Sequence, residues 1–532
     1  MKPELFLSLS LGAMATTTGL SQSDSPPPVL WQATFGGGFR DELRCLRQTS
    51  DRGFVLAGLS GSGKSGNKTS PHFGSFEVTD FWVVRLDANG TALWDKSFGG
   101  NNWDDLYALQ LTADEGYVLG GSSFSVEDGN KSSPNFGLAD FWVVRLDADG
   151  NPLWDKSYGG NGMDVLTGLT ITPDGGYVLG GYSASYTNGN KTSPIWGTND
   201  FWVVRLDSNG DLVWDKSFGG DDDDTLTCLE ATSDGGYILG GYSYSNANGN
   251  KTSPNRGMDD YWVVRLDAGG NKLWENTFGG SQQDYPYSIH QTADGGFIAG
   301  GWSKSGPGGN KSSPNFGQGD FWIIRLDRFG NLLWDRSFGG SDWDYLTSLA
   351  ETVDGGFVLG GWSASKADGN KTSPNFGGYD FWLVRLDADG RLLWDQSWGG
   401  AGSDQVYCLQ PTADGGFILG GYSGSLPDSN KTSPSYGGGD FWVVKLAAEP
   451  GFPWSLAPWL ELGTTCGADL GRDGFRFFFA GNSNSYYRTE YSLNLKDWVP
   501  LQTNTVAGTT VDVIDAGAGS DGARFYRVRV GR

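Results

Sequence analysis

Two charged residues recur at regular spacing and are the first candidates for chemistry. An aspartate follows the second glycine of a Gly-Gly pair by four residues, and a lysine lies in an Asn-Lys-Thr or Asn-Lys-Ser triplet. Together they would form a charged rim that selects a ligand or a cation. Alternatively, the aspartate ties down the turn by bonding backbone N–H groups, and the lysine pairs with it. Because every repeat carries both residues, we favour the structural role. The residues are Asp41, Asp104, Asp164, Asp224, Asp284, Asp344 and Asp404, with Lys68, Lys131, Lys191, Lys251, Lys311, Lys371 and Lys431.

The residue directly before each repeated aspartate differs between repeats and is the better candidate for recognition. Trp103, Asp223 and Trp343 occupy this position. An aromatic ring with polar neighbours suits the face of a sugar, so we predict ligand binding by these three residues. The alternative for the two tryptophans is burial against the neighbouring repeat.

The sequence shows no pattern typical of a catalytic or metal centre. Its two histidines, His72 and His290, occupy different repeat positions and lack metal-ligand or Ser-His-Asp spacing. An enzyme should break the repeat symmetry with an acid, base or metal cluster at one place. The nearest candidate is "DDDD" at Asp221–Asp224, which a solvated acidic turn explains equally well. We therefore predict a protein without catalytic residues, bound metal or cofactor.

The elements that carry these residues repeat every 60 residues. "DFWVVRLDADGNPLWDKSYGG" at Asp140–Gly160 returns as "DFWVVRLDSNGDLVWDKSFGG" at Asp200–Gly220. Each unit contains four short apolar runs, two of them joined to the next by Asp-Gly turns that favour hairpins. The "FWVVRL" run is apolar at odd and even positions, as in a strand covered on both faces. Four such strands stacked between copies of themselves form the blade of a β-propeller.

The two ends of the array predict how the ring closes. "LWQATFGG" at Leu30–Gly37 is a fourth-type strand with no blade before it, and the last repeat stops after "DFWVVKL" at Asp440–Leu446. If the first strand completes the last blade, the count is seven and no raw sheet edge remains. Strand order then places the long loops and the blade-to-blade loops on one face, with tight hairpins on the other.

The repeat unit also resembles known propeller families. "GYVLGG" resembles the strand end of Kelch propellers, and "LDANGTALW" resembles the hairpin of quinoprotein-type propellers. The layout "DFWVVRLD…G…FGG…D" looks most like bacterial delta-sixty repeat proteins over Leu30–Leu446. The resemblance implies a propeller but no activity, because propellers carry unrelated functions. No quinone-binding or copper-radical residues match, so no catalytic role is carried over.

The two ends of the chain differ from the repeats. Lys2 followed by an apolar stretch predicts a signal peptide over residues 1–21, the alternative being an unstructured tail. A linker covers 22–28, the propeller 29–447 and a second linker 448–455. Alternating runs over 456–532 predict a small β-sandwich that resembles C-terminal modules of secreted bacterial proteins. Export attachment, ligand binding and simple stabilisation are all open roles for it.

Composition limits the partners. The 532 residues carry a formal net charge of -24, which repels nucleic acid. No segment after the N-terminus is apolar enough to span a membrane. We predict an all-β, monomeric, non-enzymatic binding or scaffold protein, secreted or at the cell surface, with a glycan or an extracellular protein as ligand. The competing prediction is a secreted polysaccharide lyase or hydrolase on a propeller.

Overall fold

The computed structural model describes residues 25–75, 78–352 and 354–449, and the strands between residues 467 and 531. The chain divides into two compact units near residue 453. The predicted signal peptide, 1–21, and most of the predicted second linker lie outside the described residues. The described chain contains no helix, and therefore none long and apolar enough to cross a bilayer.

The first unit is a seven-bladed β-propeller, as predicted. Each blade is a four-stranded antiparallel sheet, and six blades take their strands in chain order. The strands are β1 (Val29–Phe35), β2 (Asp41–Gln48), β3 (Phe54–Ser60), β4 (Asp80–Leu86), β5 (Ala92–Phe98), β6 (Asp104–Leu111), β7 (Tyr117–Ser123), β8 (Asp140–Leu146), β9 (Pro152–Tyr158), β10 (Asp164–Ile171), β11 (Tyr177–Ser183), β12 (Asp200–Leu206), β13 (Leu212–Phe218), β14 (Asp224–Ala231), β15 (Tyr237–Ser243), β16 (Asp260–Leu266), β17 (Lys272–Phe278), β18 (Asp284–Gln291), β19 (Phe297–Ser303), β20 (Asp320–Leu326), β21 (Leu332–Phe338), β22 (Asp344–Glu351), β23 (Phe357–Ser363), β24 (Asp380–Leu386), β25 (Leu392–Trp398), β26 (Asp404–Pro411), β27 (Phe417–Ser423) and β28 (Asp440–Leu446).

The ring closes through the N-terminal strand. The last blade has the order β1-β28-β27-β26, and Phe35 on β1 pairs with Phe441 on β28. The first strand of each blade contacts the first strands of its two neighbours, so these seven strands surround the central channel. The fourth strands lie at the outer edge. β1 therefore covers the edge of β28 and gives the last blade the same four strands as the other six.

Blades pack through aromatic side chains of their third strands. Phe81 of the first blade lies 4.6 Å from the ring centre of Trp142 in the second. The same contact recurs around the ring, for example between Phe381 and Trp442 at 4.4 Å. Each such tryptophan removes roughly 150–250 Å² from water. The period of 60 therefore brings one aromatic pair to every blade junction, and the core consists of seven similar clusters rather than one.

The described residues of the C-terminal unit form six strands in two three-stranded antiparallel sheets. One sheet has the order β29-β30-β33 and the other β32-β31-β34. The predicted β-sandwich stays a prediction, since these strands establish only the sheets. The strands are β29 (Gly467–Gly471), β30 (Gly474–Ala480), β31 (Tyr486–Ser492), β32 (Val499–Thr505), β33 (Thr510–Asp515) and β34 (Phe525–Gly531).

Candidate binding site at the mouth of the channel

The repeated aspartate of the first strand fixes the turn between blades. Gly37 N–H donates to Asp41 Oδ2 at 2.8 Å, and Ser62 Oγ donates to the same oxygen at 2.9 Å. All seven blades repeat both bonds at 2.7–2.9 Å. Each of these aspartates is fully buried. We call this aspartate, glycine and serine the blade clasp. Its geometry supports the structural role predicted for the aspartate.

The repeated lysine is buried in every blade but does not bond the clasp aspartate directly. Lys68 Nζ donates to Ser70 Oγ at 2.6 Å and to Ser97 Oγ at 2.5 Å, and it lies 5.0 Å from the Trp82 ring centre. Burial lowers the pKa of Lys68 to about 8, and the negative charge of Asp41, which is not bonded to the ammonium, partly opposes this shift. This differs from the predicted pairing, because serines of the loop (Ser70) and of the outer strand β5 (Ser97) accept from the ammonium in place of the aspartate.

The asparagine before each lysine connects the long loop to the preceding blade. Asn130 Oδ1 accepts from Gly99 N–H at 2.9 Å, and Asn130 Nδ2 donates to the Ser97 carbonyl at 2.9 Å. Ser132 and Ser133 N–H groups donate to Asp155 on the fourth strand of their own blade. The long polar loop therefore ties its blade to the preceding one through the asparagine side chain, and it is held on its own blade through backbone N–H groups.

A second repeated aspartate, at the start of each third strand, was missed as a site by the sequence reasoning. Asp140 Oδ2 accepts from Phe136 N–H at 2.6 Å. The Asp140 and Asp164 carboxyls flank Gly159, where a Cβ would lie 2.0 and 2.6 Å from their oxygens. Burial first, and the charge of Asp164 next, raise the pKa of Asp140 to about 7. The sequence signal for this aspartate was its place directly before Phe-Trp or Tyr-Trp in every repeat.

The three residues predicted to bind ligand lie on different blades and do not form one cluster. They precede the first strands of the second, fourth and sixth blades at the loop-face end of the channel. Asp223 and Trp343 form parallel bridges with Asn199 and Gly319 of the preceding blade. The mouth is therefore a ring of seven variable positions, and its chemistry depends on which of their neighbours are aromatic.

Asp223 lines a cavity of about 260 Å³ between the third, fourth and fifth blades. Its Oδ1 accepts from Thr198 Oγ1 at 2.6 Å and from Asn199 Nδ2 at 2.8 Å. Four tyrosines, which we call the tyrosine cage, make up most of the remaining wall. The cavity is lined by Tyr182, Tyr242, Tyr244 and Tyr285 of the cage, and by Asn199, Asp223 and Thr225.

The cage combines two repeat positions that the sequence reasoning did not single out. Tyr182 and Tyr242 follow the Gly-Gly pair of the second strand, where the first two blades have Leu59 and Ser122. Tyr285 follows a clasp aspartate, and its ring centre lies 4.3 Å from that of Tyr242. The signal was an aromatic residue that appears only in some repeats.

Aromatic contacts continue from the cage to the sixth blade. Tyr285 packs on Trp302 at 5.0 Å, and Trp302 packs on Trp343 at 5.9 Å. Trp343 also stacks with Tyr345 at 5.6 Å and has Lys304 Nζ 4.9 Å from its ring centre. Trp343 is therefore half-buried among neighbours, as in the packing alternative. Trp103 is 47% exposed and has an edge contact with Phe124 at 6.3 Å.

The opposite side of the channel contains a second aromatic group, which we call the Arg44 cluster. Arg44 lies over the ring of Tyr407 at 4.4 Å and the ring of Tyr107 at 5.6 Å. Its guanidinium also donates to Glu42, which a second arginine, Arg40, contacts from the other side. Here the protein fills the space between two tyrosines with its own cation.

One serine, histidine and glutamate come together between the fourth and fifth blades. Ser288 Oγ lies 3.3 Å from His290 Nε2, and His290 Nδ1 bonds Glu230. Ser288 is buried and accepts the N–H of Leu349 at 3.2 Å. Ser348 makes the same bond in the next blade, which has no histidine there. The serine therefore bonds the first strand of the next blade, and Ser348 makes this contact without a histidine beside it.

Comparison with known proteins adds little to this geometry. No protein-family model matches the chain. A stretch of 240 residues, 43% of the chain, is 25% identical to the regulatory protein FlaEY of Caulobacter vibrioides. The chain spans about a quarter of the length of that curated relative, since the match covers 25% of it.

Solved structures with a similar arrangement belong to unrelated functional classes. Hydrazine synthase of Kuenenia stuttgartiensis is 10% identical with a TM-score of 0.41, over 70% of this chain and 91% of that one. The WD40 domain of Neurospora crassa Pan2 is 10% identical with a TM-score of 0.41, over 77% and 90%. Puromycin hydrolase is 11% identical with a TM-score of 0.43, over 85% and 62%. At these values the likenesses carry no argument about function.

Proposed function

We propose that the protein is an exported, non-enzymatic binding protein that holds a glycan at the loop-face mouth of its channel. The tyrosine cage carries this proposal. Its cavity of about 260 Å³ has aromatic walls and a few polar groups, the combination typical of small-molecule and sugar sites. The apolar stretch after Lys2 supports export.

The arrangement of polar groups in the cage fits a ligand that is rich in hydroxyls. Asp223 and Asn199 supply acceptors and a donor at one end, and Tyr244 is 37% exposed at the other. A rigid aromatic wall loses little conformational entropy on binding, because the rings are already packed against each other. A cavity of this size accommodates a ring rather than the broad flat face of a folded protein, which favours the glycan over a protein ligand.

Calorimetric titration of the full chain with a panel of oligosaccharides tests the proposal. The variant Tyr244→Ala should weaken the binding of any glycan found by about tenfold, a loss of roughly 1.4 kcal/mol. Tyr186→Ala is the matched control, because Tyr186 is 68% exposed on the long loop of the third blade and lies outside the cage. Equal losses in both variants, or no binding to any oligosaccharide, would contradict the proposal.

A further inference from the structure

The tyrosine cage lies in a region of negative charge. Asp223 is on its wall, and Asp259, fully buried, accepts from the Tyr285 hydroxyl and from Gln283 through Oδ2. Asp259 Oδ1 is buried and has no hydrogen-bond partner among the described residues. Buried carboxylates are normally paired with a cation or fully hydrogen-bonded. Asp259 does not itself line the cavity, and it places a buried carboxylate directly behind the Tyr285 hydroxyl.

The negative charge of Asp223 and Asp259 also acts on the hydroxyls of the cage tyrosines. Burial raises the pKa of Tyr242, and the nearby carboxylates of Asp259 and Asp223 raise it further. Burial and the charge of Asp259 also raise the pKa of Tyr244. Among the described ion pairs, none joins a lysine or arginine to Asp223 or Asp259. Lys304, on the fifth blade, lies over Trp343.

The Arg44 cluster shows what such a site holds when the chain itself supplies the ligand. Tyrosine rings and a carboxylate surround a guanidinium there. Burial raises the pKa of Tyr107 and Tyr407 to about 12, and the charge of Arg44 opposes that rise. Two of the three blades that form the cage have threonine at the repeat position of Arg44, Thr167 and Thr227, and neither threonine lines the cavity. The residues that line the cage include tyrosines and Asp223 but no lysine or arginine.

We infer that the tyrosine cage binds an organic ammonium group, carried by an amino sugar of the glycan. Aromatic faces attract cations through their quadrupoles, and a carboxylate beside them adds direct attraction. The sugar ring packs against the tyrosines while its ammonium faces Asp223. The inference rests on the proposed function, because it concerns the same cavity.

A matched pair of ligands isolates the charge. The full chain is titrated with a glucosamine oligosaccharide and with the N-acetylglucosamine oligosaccharide of the same length and linkage, at a pH where the free amines are protonated. The two share the sugar ring and its linkage and differ at one nitrogen per ring, which is an ammonium in the first and an acetylated neutral amide in the second, and the salt dependence separates the effect of charge from that of the acetyl group. We expect the glucosamine oligosaccharide to bind about tenfold more tightly, and added salt to reduce that preference.

Two variants test the parts of the cage separately. Asp223→Asn should remove most of the preference, whereas Asp222→Asn, which removes the same charge from the adjacent exposed residue, should retain it. Tyr242→Phe keeps the aromatic face and should keep the preference, while Tyr242→Leu should lose it. Unchanged thermal unfolding of each variant shows that the blade remains folded.

Tetramethylammonium, a cation without a sugar, separates failure of this inference from failure of the proposed function. Equal binding of the two oligosaccharides would overturn the inference and leave glycan binding standing. Binding of tetramethylammonium but of neither oligosaccharide, with that binding lost in Asp223→Asn, would support a cation-binding cage and overturn the proposal that the ligand is a glycan. Binding of a lysine-rich peptide in place of either oligosaccharide would likewise overturn the glycan. No binding of any of these probes would overturn both.

Discussion

The blade clasp and the channel mouth lie on the same face of the propeller, a few residues apart in each repeat, yet they behave oppositely. The clasp bonds are the same in seven blades, with distances that vary by 0.2 Å. The mouth position varies between blades, with six residue types at seven positions: Arg40, Trp103, Met163, Asp223, Gln283, Trp343 and Ser403. Residues needed to build a blade must occur in each one, whereas a single ligand requires residues that differ around the ring.

The difference also separates burial from exposure. Clasp aspartates are fully buried, and their loss leaves N–H and hydroxyl groups without acceptors, which costs free energy of unfolding. Trp103 at the mouth is about half exposed, and its removal leaves the clasp intact. The comparison therefore predicts two classes of mutation, one that affects stability and one that affects binding. Trp343 lies at the mouth but packs against its neighbours, so its mutation should affect both.

The largest effect on the ring should come from its closing strand. Deletion of Leu30–Gly37 removes nearly all of β1 and the Gly-Gly turn that Asp41 holds. It also exposes the edge of β28. We expect a strongly lowered melting temperature and aggregation, measured by calorimetry and light scattering. A synthetic peptide of the deleted strand should restore part of the loss. Unchanged melting and solubility would contradict closure by this strand.

Removal of one clasp should have a smaller but clear effect. Asp344→Ala leaves Gly340 N–H and Ser365 Oγ without their buried acceptor, and we expect a loss of about 1–3 kcal/mol in the free energy of unfolding. Asp389→Ala, on an exposed hairpin of the opposite face, should change it by less than about 0.5 kcal/mol. Urea unfolding measures both. Equal effects would remove the distinction between clasp and surface.

The paired carboxyls make the stability depend on pH. The pKa of Asp140 is about 7 in the folded protein and about 3.9 in an unfolded chain. The folded state therefore retains the proton longer, and this stabilisation is fully present below about pH 4 and is lost as the pH rises through about 7. Asp200, Asp260, Asp320 and Asp380 have the same shift.

Urea unfolding at about pH 5 and pH 8 measures this effect, and we expect a lower free energy of unfolding at pH 8. The lowered pKa of Lys371, about 8, acts in the opposite sense only above that pH. Asp140→Asn, which imitates the protonated carboxyl, should reduce the difference between the two pH values. Equal stability at the two pH values would show that these carboxyls are already ionised in the folded protein at pH 5.

Much of the propeller followed from the sequence, because period, turns and strand patterns are local. The spare strand at Leu30–Gly37 and the missing strand after Leu446 predicted the closure that β1 and β28 make. The partner of Lys68 was not predictable in the same way. Its serine acceptors, Ser70 and Ser97, come from the loop and the outer strand, and only the folded blade brings them to the ammonium.

The candidate site was predicted in part. The position before the clasp aspartate led to Asp223, which lines the cavity, and to Trp343, which is half-buried and packs against Lys304 and Trp302. The cage itself was missed, since Tyr182 and Tyr285 lie on different blades more than 100 positions apart. Their proximity is a property of the ring and has no local signal in the sequence.

The smallest effect on stability should come from the exposed tryptophan of the mouth. Trp103→Ala removes a ring that is 47% exposed and touches Phe124 by its edge, so we expect a change below about 0.5 kcal/mol in the free energy of unfolding. The cage lies between the third and fifth blades, and Trp103 lies on the second. A glycan long enough to extend from the cage to this blade should lose affinity by about threefold to tenfold in the variant, while a single sugar should not.

Trp196→Ala is the matched control, because Trp196 is 46% exposed on the long loop of the third blade and is not among the residues that line the cavity. Titration with oligosaccharides of increasing length compares the two variants. If Trp103 contributes a second contact, its effect appears only above a threshold length and Trp196→Ala binds like the unchanged protein at every length. Equal losses of affinity in both variants would show that any exposed tryptophan on this face has the same effect. Trp103, on the second blade, would then not belong to the recognition surface at the mouth.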